Sequence, residues 1–141
     1  MNYARIALAA VAATVFDAVY GFLVYGTLLA PEFAKYPDVF RSNEAGQAFL
    51  PAMFGGLFVA IVAVVIIYAK GYEGGSGLAE GGRFGLLFGV FVVLAFTAVN
   101  YATLNINKKL AGMLGVAGFF EWLVIGTIIG LVYKPPARSA R

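Results

Sequence analysis

The chain has 141 residues, of which 62% are hydrophobic and only 12% are charged, and its formal net charge is +3. A soluble globular domain has about 25% charged residues, so this composition excludes that class and indicates a membrane protein. Neither Cys nor His occurs, which excludes disulfides, thiolate or imidazole metal ligands, a His-ligated haem and His-dependent nucleophilic catalysis.

Four apolar segments follow one another along the chain, at residues 6–30, 49–69, 84–104 and 113–133. Each has the length of about 20 residues with which a helix crosses a hydrocarbon core. Only helices and closed barrels satisfy their backbone groups in lipid, and these continuous apolar runs indicate helices. The sequence therefore predicts a single all-α domain over residues 1–141, an integral membrane four-helix bundle with up-down topology.

The first segment resembles a secretory signal, because Arg5 precedes the apolar run and Ala10-Val11-Ala12 resembles a cleavage site. The run continues to Ala30, which is too long for a signal and suits a spanning helix. We therefore expect an uncleaved first helix. Asp17 lies near its middle, where the apolar residues around it offset the cost of inserting one acid.

Three connections separate the spans. Residues 31–48 mix charged and aromatic side chains, as at a bilayer interface, and predict one sizeable external loop that is partly helical. Residues 70–83 are rich in glycine and predict a flexible turn. Residues 105–112 predict a short connection with Lys108 and Lys109, and Pro135-Pro136 is expected to end the fourth helix before a basic tail.

The distribution of cations predicts the orientation. Six of them lie on the side of the termini and the glycine-rich turn: Arg5, Lys70, Arg83, Lys134, Arg138 and Arg141. Four lie on the opposite side: Lys35, Arg41, Lys108 and Lys109. The positive-inside rule then places both termini in the cytoplasm of a bacterial inner membrane, although so small a bias also permits dual topology.

A short internal repeat raises a second interpretation of the topology. Tyr25-Gly26-Thr27-Leu28 at the end of the first span is echoed by Tyr101-Ala102-Thr103-Leu104 at the end of the third. Such a match favours two duplicated helical hairpins, and it is also short enough to arise by chance.

Small residues recur every four positions in three of the spans, a spacing that lets helix backbones approach closely. The predicted helix-packing glycines are Gly56, Gly81, Gly85, Gly89, Gly118, Gly126 and Gly130. Two interpretations stay open: the glycines pack the chain's own bundle, or some of them form the seam of a homo-oligomer or a larger membrane complex.

Asp17 and Glu121 are the candidate functional residues, because ionisable groups at bilayer depth usually face a bundle interior or a water-filled cavity. Counted from Arg5 and Lys134 at 1.5 Å per residue, they lie about 18 and 20 Å from one membrane face. The residues expected to join them in a polar site for a proton or an ion are Tyr20 and Thr14 on the Asp17 face of the first helix, and Thr97 and Asn100 on the third helix.

No Lys, Arg or His lies within the spans to neutralise these acids. One interpretation is a carrier that exchanges a proton for a cationic substrate at the two carboxyl groups. The alternative is that both acids stay neutral and connect helices by hydrogen bonds. No nucleotide-binding motif accompanies the glycine-rich turn, so no cofactor is predicted.

Three stretches resemble a group of small uncharacterised bacterial proteins with four membrane spans: Tyr68-Ala69-Lys70-Gly71-Tyr72-Glu73-Gly74-Gly75, the run from Glu80 to Gly89, and the run from Gly126 to Pro135. This resemblance implies topology and bacterial origin, and no activity. Asp17 is also similar to the single acid in the first helix of small multidrug exporters. That family uses a Glu and has shorter loops than residues 31–48.

Taken together, these features predict a non-enzymatic accessory or scaffolding subunit that packs against other membrane helices. Membrane lipid is the expected surrounding partner, and the absence of a basic stripe argues against nucleic acid. The alternative is a small proton- or cation-coupled transporter that uses Asp17 and Glu121.

Overall fold

A computed structural model describes residues 1–133 of the chain, and these residues form helices and no strand. In chain order the helices are α1 (Tyr3–Leu28), α2 (Ala30–Phe33), α3 (Asn43–Gln47), α4 (Leu50–Gly71), α5 (Gly77–Thr103) and α6 (Lys108–Val132). The predicted helix end at Pro135-Pro136 and the basic residues Lys134, Arg138 and Arg141 lie outside the described residues.

Four of these helices, α1, α4, α5 and α6, are long and apolar enough to cross a membrane. The prediction of an all-α bundle with four spans is therefore confirmed. Most of the large apolar side chains on their outer faces are exposed, as expected where lipid replaces water as the solvent. The external loop is partly helical, because it contains α2 and α3.

The flexible turn predicted for residues 70–83 is much shorter than expected, because α5 begins at Gly77. Ser76 caps the helix by accepting a hydrogen bond from the Ala79 amide at 3.3 Å. One turn further on, the Glu80 carboxylate accepts hydrogen bonds from the amides of Gly75 and Glu73. The Ser76 bond satisfies a backbone donor that a helix end otherwise leaves unpaired, and the Glu80 bonds hold the preceding turn against the helix.

The fourth span also begins earlier than predicted, at Lys108 rather than residue 113. Asn107 accepts a hydrogen bond from the Leu110 amide at 2.9 Å and so caps α6. Lys108 and Lys109 therefore belong to the first turn of a spanning helix and not to a connecting loop.

Two of the spanning helices contain π-helical turns, at Val24–Leu28 in α1 and Val93–Ala98 in α5. In α1 the Leu29 amide donates to the Val24 carbonyl at 2.8 Å, five residues back. Pro31 follows closely and has no N–H to continue the α-helical pattern. A π-helical turn holds more residues than an α-helical turn, so it changes the face that the next side chains occupy.

Helices α5 and α6 make backbone contact along a row of glycines. A Cβ atom added to Gly126 would lie 2.3 Å from the Gly85 Cα, and one added to Gly81 would lie 2.6 Å from the Gly126 carbonyl oxygen. Gly89 approaches the Phe119 carbonyl in the same way, and Gly130 approaches the backbone of Gly77 and Gly81. Five of the predicted packing glycines thus serve the chain's own bundle, where only glycine permits so close an approach.

The other two predicted packing glycines differ from these five. A Cβ atom on Gly118 would be in ordinary contact with Val92, at 3.5 Å from its Cγ1. Gly56 has no neighbouring atom within 4 Å and lies with Ala52 and Ala60 on the exposed first half of α4. Within the described residues, therefore, these three small residues, which we call the α4 row, are exposed.

Helix α1 lies between α4 and α6, and α6 in turn lies between α1 and α5. A buried cluster joins α1, α4 and α6 near the chain termini, where Ala9, Ala10 and Ala13 let Ile61, Val65 and Ile125 approach. At the opposite end, the external loop covers the start of α6, and Phe33 and Phe40 pack on Leu110.

Polar contacts hold the external loop on α6. The Asn107 amide donates to the Tyr36 hydroxyl at 3.3 Å, and the Glu32 carboxylate binds Lys109 Nζ at 2.7 Å and Lys35 Nζ at 2.9 Å. The hydrogen bonds from Lys109 and Lys35 lower the pKa of Glu32 below its ordinary value. The loop is thus fixed to the bundle at the end where α1 and α6 approach the membrane surface.

Candidate functional site

The two intramembrane acids lie at the same depth and face the bundle interior. Asp17 is the 15th of the 26 residues of α1, and Glu121 is the 14th of the 25 residues of α6. Their residues are only 5% and 8% exposed. Each therefore lies within two residues of the centre of its helix, about 15 Å from either end of a 30 Å hydrocarbon core.

The carboxyl groups of Asp17 and Glu121 lie in hydrogen-bonding contact with each other. A carboxylate only accepts hydrogen bonds, so this contact requires at least one of the two groups to hold a proton. Two adjacent carboxyl groups in a medium of low dielectric do not both ionise unless a cation neutralises them. The pair therefore holds one proton, two protons or a bound positive charge.

Two tyrosines of α1 surround the acid pair. The Tyr25 hydroxyl, on the π-helical turn, donates to Glu121 Oε2 at 2.9 Å. The Tyr20 hydroxyl donates to the Ala117 carbonyl at 2.9 Å, one turn before Glu121 on α6. The two rings meet edge to face with centroids 6.2 Å apart. Sequence reasoning did not include Tyr25 in the site.

Thr14 lies one turn before Asp17 on α1, and its Oγ1 atom is buried. Within residues 1–133 this hydroxyl has no hydrogen-bond partner. A buried hydroxyl without a partner is costly in free energy. One helical turn from Asp17, it therefore offers a donor and an acceptor to a water molecule, or its oxygen to a cation.

The structure does not bring Thr97 and Asn100 to the acid pair. Thr97 points its methyl group toward Gly115, since a Cβ atom on Gly115 would lie 3.5 Å from the Thr97 Cγ2. Asn100 is exposed, and the described residues give its side chain no hydrogen bond. The reason is local: Thr97 lies in the π-helical turn of α5, beyond Gly89, where the close backbone contact with α6 ends.

The described part of the chain supplies no basic partner for the acids. The ion pairs found in residues 1–133 all involve Glu32 at the membrane surface. Within the same residues no three acidic groups come together to hold a metal ion. Among the described residues, the site is therefore a pair of carboxyl groups with hydroxyl neighbours.

A groove opens between α1 and α6 on the side of the acid pair nearer Lys108 and Lys109, and we call it the α1–α6 groove. It has a volume of about 580 Å³, and Tyr20 and Ala117 lie at its inner end. The hydrogen bond between these two residues separates the groove from Glu121 one turn deeper. The inner end of the groove therefore lies one helical turn from Glu121.

Comparison with known proteins adds no assignment. No protein-family model matches the chain, and neither a curated protein nor a solved structure is significantly similar to it.

Proposed function

We propose that this chain is a small, non-enzymatic membrane transporter that couples the movement of a proton to that of a monovalent cation. The observation that supports this proposal is the contact between Asp17 and Glu121, two buried acids at mid-depth with no basic partner among the described residues. Ionisable groups at this depth are expensive to keep and commonly mark a proton or ion pathway.

In the proposed cycle, the acid pair holds a proton while the site is empty of substrate. A cation that enters the site replaces this proton and neutralises the charge that its departure leaves. Tyr25 stabilises the ionised form of Glu121 by donating a hydrogen bond to it. The unpaired Thr14 hydroxyl supplies an oxygen ligand beside Asp17 in place of one lost water molecule.

Proton flux in proteoliposomes tests this function. Vesicles that contain a pH-sensitive dye should change their internal pH when an outward gradient of Na⁺ or K⁺ is applied. Asp17→Asn and Glu121→Gln should each abolish that change. Asp38→Asn makes the same chemical change on an exposed loop residue and should leave flux unaltered. Equal flux in Asp17→Asn, Asp38→Asn and the wild type would refute the proposal.

A second measurement distinguishes a working site from a failed fold. A hydrophobic carbodiimide reacts with protonated carboxyl groups inside the membrane, so it should label the wild type at Asp17 or Glu121. Na⁺ or K⁺ should slow this labelling if the cation displaces the proton. Labelling that is unchanged by either cation, in a protein that retains its helical content, would favour two structural acids instead.

The second candidate function is that of an accessory subunit, and the row Ala52, Gly56 and Ala60 favours it. These small residues follow the spacing of helix-packing rows, yet they are exposed on α4. Gly56→Leu should then release the chain from a larger complex in mild detergent, as judged by native mass measurement. Recovery of both wild type and variant solely as monomers would exclude that role.

For location and orientation, we propose a bacterial inner membrane with both termini in the cytoplasm, on the basis of the cation distribution. Single Cys residues introduced near Met1 and at Asp38 test this orientation, since the wild-type chain has no Cys. An impermeant thiol reagent should label only the Asp38 position in intact cells. Labelling of both positions would indicate dual topology.

A further inference from the structure

A second groove lies on the other side of α6, between it and α5, and we call it the α5–α6 groove. It also has a volume of about 580 Å³, and Val93, Thr97 and Tyr101 line its α5 side. It opens because the close glycine contact between the two helices ends at Gly89, before this part of α5. From there the larger side chains of the π-helical turn separate the helices.

The two grooves share one wall. Gly112, Val116 and Phe120 line both of them, and with a spacing of four residues they form a ridge along one face of α6. Val116 and Phe120 are 60% and 53% exposed. Two apolar channels of similar size therefore run side by side along this ridge.

The length of the ridge matches one leaflet of a bilayer. From Lys108 at the start of α6 to Phe120 the helix rises through 12 residues, or about 18 Å. Half of a typical hydrocarbon core is about 15 Å. Both channels are almost wholly apolar: the polar side chains that line them are Tyr20, Lys108 and Lys109 in the α1–α6 groove and Thr97 and Tyr101 in the α5–α6 groove.

The membrane-surface end of the ridge carries positive charge. Lys108 and Lys109 line the α1–α6 groove there. Lys35 lies nearby, since it binds the same Glu32 carboxylate as Lys109. Three cations face one anion, so the rim keeps an excess positive charge after Glu32 is neutralised. Lys108 makes no ion pair within residues 1–133. Tyr101 adds a phenolic hydroxyl at the rim of the α5–α6 groove.

We infer that this face of α6 is a binding site for one anionic diacyl phospholipid, which straddles the ridge with one acyl chain in each groove. Its phosphate lies at the rim beside Lys108 and Lys109. The pairing of channels fits the two chains of a single lipid, and the excess charge at the rim fits an acidic headgroup. Because the channels are about as long as half of the hydrocarbon core, the site lies within one leaflet. This inference is independent of the function proposed for the acid pair.

Native mass spectrometry from mild detergent tests the site, with phosphatidylglycerol and phosphatidylcholine of identical chains supplied in equal amounts. The wild type should retain one phosphatidylglycerol in preference to phosphatidylcholine. Lys108→Gln should reduce this preference about fivefold, the effect of one basic residue near an anionic surface. Lys70→Gln removes the same charge at the opposite end of the bundle and should leave the preference unchanged.

A substitution on the ridge tests the channels themselves. Gly112 has no neighbouring atom within 4 Å, so Gly112→Leu should fill the head of both grooves without disturbing the fold and abolish retention of either lipid. Gly55 also has open space around it, and Gly55→Leu on α4 is the matched control. Equal retention of the two lipids by the wild type, or full retention by Gly112→Leu, would overturn the inference. A dimer mass lost in Gly112→Leu would overturn it in favour of a second copy of the chain on this face.

Discussion

The glycine contact between α5 and α6 leads to a quantitative prediction about the substitution Gly126→Ala. The added Cβ atom would lie 2.3 Å from the Gly85 Cα and 2.5 Å from the Gly85 nitrogen. Carbon atoms normally approach to about 3.5–4.0 Å. Because both close atoms belong to the backbone of α5, no side-chain rotation relieves the clash, and the two helices must move apart by about 1 Å or more.

The expected cost can be obtained from a matched pair of substitutions on the same helix. Overpacking in a well-packed interior costs about 1–3 kcal/mol, and the backbone clash at Gly126 places Gly126→Ala near the upper end. Replacing glycine by alanine in a helix also contributes about 0.5–1 kcal/mol of stabilisation. Gly112→Ala brings the same helical gain and meets no atom within 4 Å. The difference between the two variants therefore isolates the packing cost, which we expect to be about 3 kcal/mol.

Reversible unfolding in mixed micelles, with the fraction of denaturing detergent as the variable, measures this difference. Gly112→Ala should unfold at or beyond the wild-type midpoint, and Gly126→Ala well before it. Gly85→Ala should be similarly destabilising. The double variant Gly85→Ala with Gly126→Ala should cost less than the sum of the two single costs, since both substitutions disrupt the same contact. A difference between Gly126→Ala and Gly112→Ala below about 0.5 kcal/mol, the usual effect of a surface substitution, would refute the packing argument.

Three further outcomes are expected from polar contacts of the fold. Tyr25→Phe removes the hydroxyl that donates to Glu121 and should lower the free energy of unfolding by about 1–3 kcal/mol in the same micelle assay; an unchanged value would show that the bond contributes nothing. Asn107→Ala removes the cap of α6 and should cost about 1 kcal/mol, with Asn107→Asp retaining most of the stability. Hydrogen bonds from Lys109 and from a neighbouring lysine lower the pKa of Glu32. The ionised Glu32 therefore contributes fully to the stability of the fold above its ordinary pKa of 4.5, and this contribution is lost as the pH falls toward the lowered value. Thermal midpoints of Glu32→Gln should therefore fall less steeply below this pH than those of the wild type, and parallel curves would contradict the assignment.

Hydropathy predicts the number of spans correctly but not their ends. The predicted start of α5 is seven residues too late because glycines favour turns, whereas Ser76 and Glu80 cap a helix that uses those glycines for contact. The predicted start of α6 is also too late, because Lys108 and Lys109 are typical of a connecting loop, while Asn107 is the N-cap of the helix. Both capping residues can be recognised in the sequence, and they give the observed starts of the two helices.

The candidate site was only partly predictable from the sequence. Depth counting placed Asp17 and Glu121 at similar levels, because the rise of a helix is constant. It also placed Thr97 at a similar depth and Asn100 about one turn further across, since depth alone does not tell which helices are neighbours. The π-helical turns determine which side chains reach the acids: one carries Tyr25, whose hydroxyl reaches Glu121, and the other carries Thr97, which lies against Gly115.

The sequence by itself determined that the chain spans a membrane four times and that two acids lie at mid-depth without a base nearby in the spans, because hydropathy, helix length and charge are local properties. Only the tertiary structure decided that the acids touch, that five glycines join α5 to α6 and that the α4 row faces outward. These facts depend on which faces of separate helices meet. In this chain most helix faces are apolar, so hydrophobicity does not determine which faces pack together. Steric fit at the glycines and hydrogen bonding at the acids determine it.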